Sequence, residues 1–289
     1  MTAAFEQGRA VAKRIDLTAA PRDAIGELFA EIALAAGPVV MSEYSKDCQV
    51  RAKHDQSPVT VADERAEALI LELLRARAEE IPIVAEESSG RGERPAVGAQ
   101  FILVDPLDGT REFISGNGEF TINIALVRDN AVVAGAVYAP AIGRLWLAGE
   151  RAFCCAAPLG APLPDLAQRR LLKTRAAPAS GLVALASRSH GDAATEAFLA
   201  GLPIGERRSA GSSLKFCLLA EGEADVYPRF GATMEWDTAA GEAILLAAGG
   251  AVLSVEGGAL GYGKVESGFR NGGFIAWGDP ALPARLSHA

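Results

Sequence analysis

Apolar residues recur at Ile25, Leu28, Phe29, Ile32 and Ala36, a spacing of three and four that puts them on one stripe of a helix. Gly37-Pro38 predicts its end. Thr60 and Asp63 then stand in a T-x-x-D relation ahead of Leu69, Leu73 and Leu74, the start signal of a second amphipathic helix. Beyond residue 80 the pattern changes period. The runs IPIVA (81–85), FILV (101–104), EFTINIALV (119–127), AVVAGAVY (131–138) and RLWLAG (144–149) are short and rich in β-branched and aromatic residues, with turn signals such as Asp129-Asn130 between them. They predict a sheet lying against the two helices. Residues 154–180 hold several prolines and little periodicity, which predicts a junction between lobes. After it, strand-like LVALAS and ADVYPRF alternate with helix-like GDAATEAFLAGL, SSLKFCLLAEG and WDTAAGEAILLAAGG, the alternation of an α/β lobe. The expected class is α/β, organised as a tail (1–22), an N-terminal α+β lobe (23–153) and a C-terminal α/β lobe (154–289).

Composition narrows the function. With 289 residues, 49% hydrophobic and 22% charged, the chain can bury a sizeable core. Lys plus Arg is 28 against 36 for Asp plus Glu, a formal charge of −8 that argues against a nucleic-acid duplex as partner. An anionic substrate would need a bound cation to invert the local field. Cys48, Cys154, Cys155 and Cys217 make no CxxC, so neither a zinc site nor a redox pair is expected. No stretch reads as roughly 18 uncharged apolar residues, the length of a spanning helix. The expectation is a cytoplasmic protein without a transmembrane segment; peripheral contact with the cytoplasmic face of the inner membrane, and a homodimer, stay open.

The chemistry concentrates at VDPLDGT, residues 104–110. Pro106 fixes its own φ and biases Asp105 toward an extended conformation, and Asp108-Gly109 is a turn pair. Such a bend aims both carboxylates at one point, where like charges resist ionisation unless a cation lies between them. Oxygen ligands without His or Cys select a hard ion such as Mg²⁺. The plain alternative is that Asp105 caps a turn and Asp108 starts one. Glu86 and Glu87 close the run IPIVAEE much as Asp105 closes FILVD, and Asp237 precedes a helix, where it could serve as an ordinary N-cap.

AEES at 85–88, DPLDGT at 105–110 and WDTAAG at 236–241, in this order, resemble the inositol monophosphatase superfamily of metal-dependent, lithium-sensitive phosphatases. SPVTVAD (57–63), GTREFISGNGEFTINIAL (109–126), SRSH (187–190) and GSSLKFCLLAEGEADVYPRF (211–230) are similar to one branch, the 3'(2'),5'-bisphosphate nucleotidases of sulfate assimilation. The resemblance implies a sandwich of alternating helix and sheet layers with the site in a cleft between lobes. It implies two or three Mg²⁺ ions on Glu86, Asp105, the Leu107 carbonyl, Asp108 and Asp237, with Asp63 and Thr110 as a water-activating pair; the competing account of Asp63 is a helix-start carboxylate favoured by the macrodipole. Gly109, Thr110 and Arg111 would present backbone N–H groups to a phosphate. Ser187, Arg188, Ser189, His190, Ser212, Lys215 and Arg229 would hold the rest of a nucleotide bisphosphate, Lys215 and Arg229 gripping the phosphate that is not cleaved. Against this, SRSH reads as a polar loop and Lys215 as a solvated helix face.

The implied reaction is hydrolysis of 3'-phosphoadenosine 5'-phosphate to AMP and phosphate, with the 3'-phosphosulfate analogue as a second substrate. Three rivals remain: an inositol monophosphatase with the same site, a haloacid-dehalogenase type of phosphatase, and a non-catalytic phosphometabolite-binding protein. The second uses acids two apart with the first attacking phosphorus, whereas here the gap is three with Pro106 inside it.

Overall fold

The computed structural model describes residues 14–44, 50–52, 58–78, 81–187 and 192–286; Cys48 and three of the expected substrate contacts, Arg188, Ser189 and His190, lie outside them. The first half runs α1 (Arg22–Ser42), β1 (Val50–Ala52), β2 (Pro58–Thr60), α2 (Val61–Arg77), β3 (Ile83–Ala85), α3 (Glu86–Gly90), β4 (Gln100–Asp108), α4 (Thr110–Ser115), β5 (Thr121–Arg128), β6 (Ala131–Ala139), β7 (Arg144–Ala148), β8 (Ala152–Ala156) and β9 (Arg170–Leu171). The second half runs β10 (Leu182–Ser187), α5 (Ala193–Ala200), β11 (Ile204–Ala210), α6 (Leu214–Ala220), β12 (Val226–Arg229), β13 (Thr233–Met234), α7 (Glu235–Ala247), β14 (Ala251–Ser254), β15 (Arg270–Asn271), β16 (Phe274–Trp277) and α8 (Leu282–Leu286).

Strands β3 to β9 form one sheet in sequence order, antiparallel except for the parallel β3–β4 pair. Its period-2 alternation feeds two cores at once. Ile102, Val104, Leu145 and Leu147 pack with α1 and α2, while Phe101, Leu103, Trp146 and Ala148 face α6 and α7. A second sheet, ordered β11-β10-β12-β16-β14, covers the far side of α6 and α7 and sends Leu182, Ala184, Val226 and Trp277 to a third cluster with Leu199 of α5 and Leu282 of α8. The layers therefore run helix, sheet, helix, sheet, helix, as expected.

Two expectations are corrected. Helix α1 does not stop at Gly37 but runs through Pro38 to Ser42. An interior proline costs about 3 kcal/mol, whereas each of the fully buried Ile25, Leu28, Phe29, Ile32 and Val40 returns about 1.5–3 kcal/mol on the sheet. Pro38 itself faces outward. The same helix has the length and hydropathy of a membrane span, 1.6 over 18 residues, yet it carries Glu27 and Glu31, and 61% of that window is buried within the fold. Second, the boundary expected at 153/154 falls inside β8, and β8 and β9 complete the first sheet. Within the described part of the tail, Leu17 is buried and Ile15 bridges to Ala78. In α2 the buried stripe is Ala62, Asp63, Ala66, Glu67, Ile70 and Leu74, one step from the expected Leu69 and Leu73, and it contains two carboxylates.

Candidate active site

The bend at Asp105–Asp108 is a bulge within β4 rather than a turn after it. Asp105 stands opposite Asn123 and Asp108 opposite Thr121, so Pro106 and Leu107 together oppose Ile122 and β4 carries one surplus residue. Proline is tolerated there because a bulge position needs no ladder donor. The Leu107 N–H donates to Asp105 Oδ1 at 3.0 Å, as the turn-capping account of Asp105 expects. Gly109 follows in the left-handed region (φ 92°) and turns the chain into α4, whose first residue is Thr110.

The Thr110 hydroxyl lies 3.3 Å from Asp63 Oδ1 and 3.4 Å from the Leu107 carbonyl. Asp63 Oδ2 meanwhile accepts from the Thr60 N–H (2.8 Å) and hydroxyl (2.6 Å), closing the capping box of α2. The helix-start account of Asp63 therefore holds at Oδ2, while Oδ1 faces the Thr110 hydroxyl, and the carboxylate is fully buried.

Glu86, Asp108, Gly109, Thr110, Arg111, Ser187, Ser212, Lys215, Arg229 and Asp237 line one cleft of about 240 Å³. Asp105 sits behind that wall, 1% exposed, with the Glu86, Asp108 and Asp237 carboxyl groups as its charged neighbours. Burial, with Glu86, Asp108 and Asp237 around it, pushes the Asp105 carboxyl well above the usual carboxylate range. Asp237 is pushed well up by burial and by Asp108 and Glu86, although the Met234 N–H bonds its Oδ2 at 2.8 Å. The expected N-cap role falls instead to Met234: Asp237 is the third residue of α7, and its bond to the Met234 N–H closes the helix start from inside while leaving Asp237 in the cleft. Asp108 is raised by burial too, against the pull of the Lys215 charge and of Ser213, whose N–H and hydroxyl reach Asp108 Oδ2 at 2.7 and 2.9 Å.

Lys215 is not on a solvated helix face. It is 3% exposed, donates to the carbonyls of Ala210 (3.1 Å) and Ser212 (2.7 Å), and lies 5.1 Å from the Tyr227 ring centroid. Two of its three N–H bonds are taken, leaving one. Burial lowers its pKa to about 8. Arg229 is half-buried, with long bonds to the Gly231 and Ala232 carbonyls at 3.3 and 3.5 Å. Arg111 is exposed at the cleft mouth.

Three residues of the site's frame were missed by sequence reasoning. The Ser213 hydroxyl also reaches the Asp237 carbonyl at 2.9 Å, tying the β4 bulge to α7, and accepts from Asn123 Nδ2 at 2.9 Å. Glu67 accepts from the backbone of Glu87 and Ser88. For Glu67 a signal existed: it follows Asp63 by four positions, so two carboxylates share the apolar face of α2.

The chain matches the inositol monophosphatase family over residues 23–282. It belongs to that family. It is 42% identical over 246 residues to the 3'(2'),5'-bisphosphate nucleotidase CysQ of Shigella flexneri, covering 84% of this chain and 96% of the relative. The crystal structure of CysQ from Bacteroides thetaiotaomicron superposes with a TM-score of 0.74 at 36% identity, over 88% of this chain and 97% of that one. An inositol monophosphatase from Zymomonas mobilis, 24% identical, has a TM-score of 0.71 over 93% and 98%, a likeness of fold alone. Phosphatases of the inositol monophosphatase family typically use metal ions. The residues here fit one. Every donor is a hard oxygen, and the buried carboxyl groups are held in a field that a divalent cation would relieve. Among the described residues no three acidic, imidazole or thiol side chains form a closed cage.

Proposed function

We propose that this protein is a Mg²⁺-dependent 3'(2'),5'-bisphosphate nucleotidase that hydrolyses the 3'-phosphate of 3'-phosphoadenosine 5'-phosphate, giving AMP and phosphate, and also accepts the 3'-phosphosulfate analogue. The observation that carries this reading is the presence of two centres for anions in one cleft: the carboxylate and α4 end at Glu86, Asp108 and Thr110, and the cationic end at Lys215 and Arg229. A monophosphate ester would use only the first.

Two or three Mg²⁺ ions bound by Glu86, Asp105, Asp108, Asp237 and the Leu107 carbonyl would supply Lewis-acid stabilisation of the phosphoryl and leaving oxygens. The chain does the rest. The capping bonds fall on Asp63 Oδ2, and Oδ1 accepts the Thr110 proton; the Thr110 oxygen is then oriented to take a proton from the attacking water. Gly109, Thr110 and Arg111 open α4 and present N–H groups toward the transferred phosphoryl group. Ser187 and Ser212 provide hydroxyls for the sugar and base end, and Lys215 and Arg229 receive the phosphate that stays.

Turnover under matched Mg²⁺ tests the reading: the bisphosphate nucleotide is expected to exceed inositol 1-phosphate in kcat/KM by about 100-fold or more, since about 2.7 kcal/mol is within reach of two charge-assisted contacts. A preference for the inositol ester would refute it. Lys215 adds a pH signature. Its folded pKa of about 8 lies below the ordinary 10.5, so the ammonium is charged at neutral pH and loses its proton as pH rises through about 8. For the bisphosphate, kcat/KM should fall across that pH. Lys215→Met should cost about 30-fold at pH 7, roughly 2 kcal/mol for one charge-assisted bond, mostly in KM. Activity on 3'-AMP, which lacks the second phosphate, should change little, and equal losses on both substrates would remove Lys215 from this role.

A further inference from the structure

Helix α3 begins at Glu86 and has no cap of its own: the residue before it, Ala85, offers no side-chain acceptor. A short helix leaves its first N–H groups without intrahelical partners. They are satisfied from another element. Glu67 of α2, 2% exposed, places Oε2 at 2.7 Å from the Glu87 N–H and Oε1 at 2.8 Å from the Ser88 N–H and 2.6 Å from the Ser88 hydroxyl. Arg91, half-exposed, approaches Oε1 at 3.5 Å. Glu67 is one turn from Asp63 on the same buried face of α2. A single rigid helix thereby fixes the acceptor of the Thr110 hydroxyl and the peptide units directly following Glu86.

From this geometry we infer that Glu67 is a positioning residue for the cation site, holding the start of α3 so that the Glu86 carboxylate stays at the cleft beside Asp105 and Asp108. The inference rests on the metal-dependent reading above, but it concerns binding of the ion and not the identity of the ester. Both Glu67 oxygens must accept, which a carboxylate can do and an amide cannot: in Gln one end becomes an NH₂ donor facing a backbone N–H. The start of α3 then has to shift, and Glu86 with it. Aspartate keeps the charge but is one methylene shorter and cannot span both contacts unaided.

Calorimetric titration of the full chain with Mg²⁺ alone, without substrate, tests the role. Glu67→Gln is expected to weaken Mg²⁺ binding by about 10–100-fold, the usual cost of losing an outer partner of a metal ligand, while kcat at saturating Mg²⁺ stays within about threefold. Glu67→Asp is expected to weaken it by at least about fivefold, on the same ground. Wild-type affinity in Glu67→Gln overturns the inference. So does wild-type affinity in Glu67→Asp, because it would mean that Glu67 acts through its charge and not by position. Should these variants fail to fold, Ser88→Ala, which deletes the 2.6 Å bond to Glu67 and the 3.0 Å bond from Arg91 but keeps both backbone contacts, decides the matter: about threefold weaker binding supports positioning, and unchanged binding overturns it. A wild-type protein that binds Mg²⁺ but ignores bisphosphate nucleotides would sink the substrate reading and leave this one standing.

Discussion

Asp105→Asn is expected to abolish turnover while making the metal-free protein more stable. The loss should be about 1,000-fold or more in kcat, because on the proposed function a metal ligand contributing about 4 kcal/mol of charge stabilisation is removed. The gain has a separate origin. Asp105 is buried against Glu86, Asp108 and Asp237, and its carboxyl is pushed well above the ordinary 3.8 by burial first and by those neighbours second. The isosteric amide carries no charge to desolvate. Relief of about 1–3 kcal/mol would raise the Tm measured in chelator by about 2–6 °C. The sign with pH follows from linkage. Between 3.8 and the raised folded value the native state binds more protons than the unfolded one, so the metal-free wild type loses stability as pH rises through that window. Asp105→Asn should flatten that slope, and Mg²⁺ should stabilise the wild type far more than the variant. Melting curves at several pH values, with chelator and with Mg²⁺, check all three. A variant less stable than wild type in chelator would show that Asp105 is a structural cap whose bond to the Leu107 N–H outweighs its charge.

This opposition between stability and function explains why the acids could be read from the sequence. Asp105, Asp108, Glu86 and Asp237 occur where runs of apolar residues break off, so each stands out against its apolar flank. The strands of the first sheet were legible for a related reason: alternation in β4, β5 and β7 feeds two cores, so both faces leave a mark. Strand β11 left none. Its IGERRSA sequence is largely exposed at a sheet edge, held by parallel backbone pairing to β10, and its charges guard the edge rather than pack. Pro38 misled because a local helix breaker was overruled by burial on either side of it. The frame of the site was harder still. Ser213 sits in an ordinary-looking GSSLK, and only the fold shows its hydroxyl between Asp108 and the Asp237 carbonyl. Residues that act by holding others carry no chemical signature of their own, and Glu67 became visible only through its placement beside Asp63.

Thr110→Val is the second large effect, and it separates proton handling from metal binding. Valine keeps the shape and β-branching of threonine and deletes one oxygen. That oxygen contributes little to the fold, since its bonds to Asp63 and Leu107 are long, 3.3 and 3.4 Å. Asp63 stays anchored by the Thr60 N–H and hydroxyl at 2.8 and 2.6 Å, so α2 keeps its cap. Melting temperature and Mg²⁺ affinity should therefore match wild type. Without the hydroxyl, Asp63 Oδ1 has no relay to the attacking water, and kcat should fall by about 100–10,000-fold, the usual span for a lost general base. KM should hold, because the hydroxyl acts on the water and not on the ester. Thr110→Ser, which restores the oxygen, should recover most of the rate. If Thr110→Val instead lowered Mg²⁺ affinity and spared kcat at saturating ion, the hydroxyl would belong to the cation's surroundings, and Asp63 would revert to the plain role of capping α2.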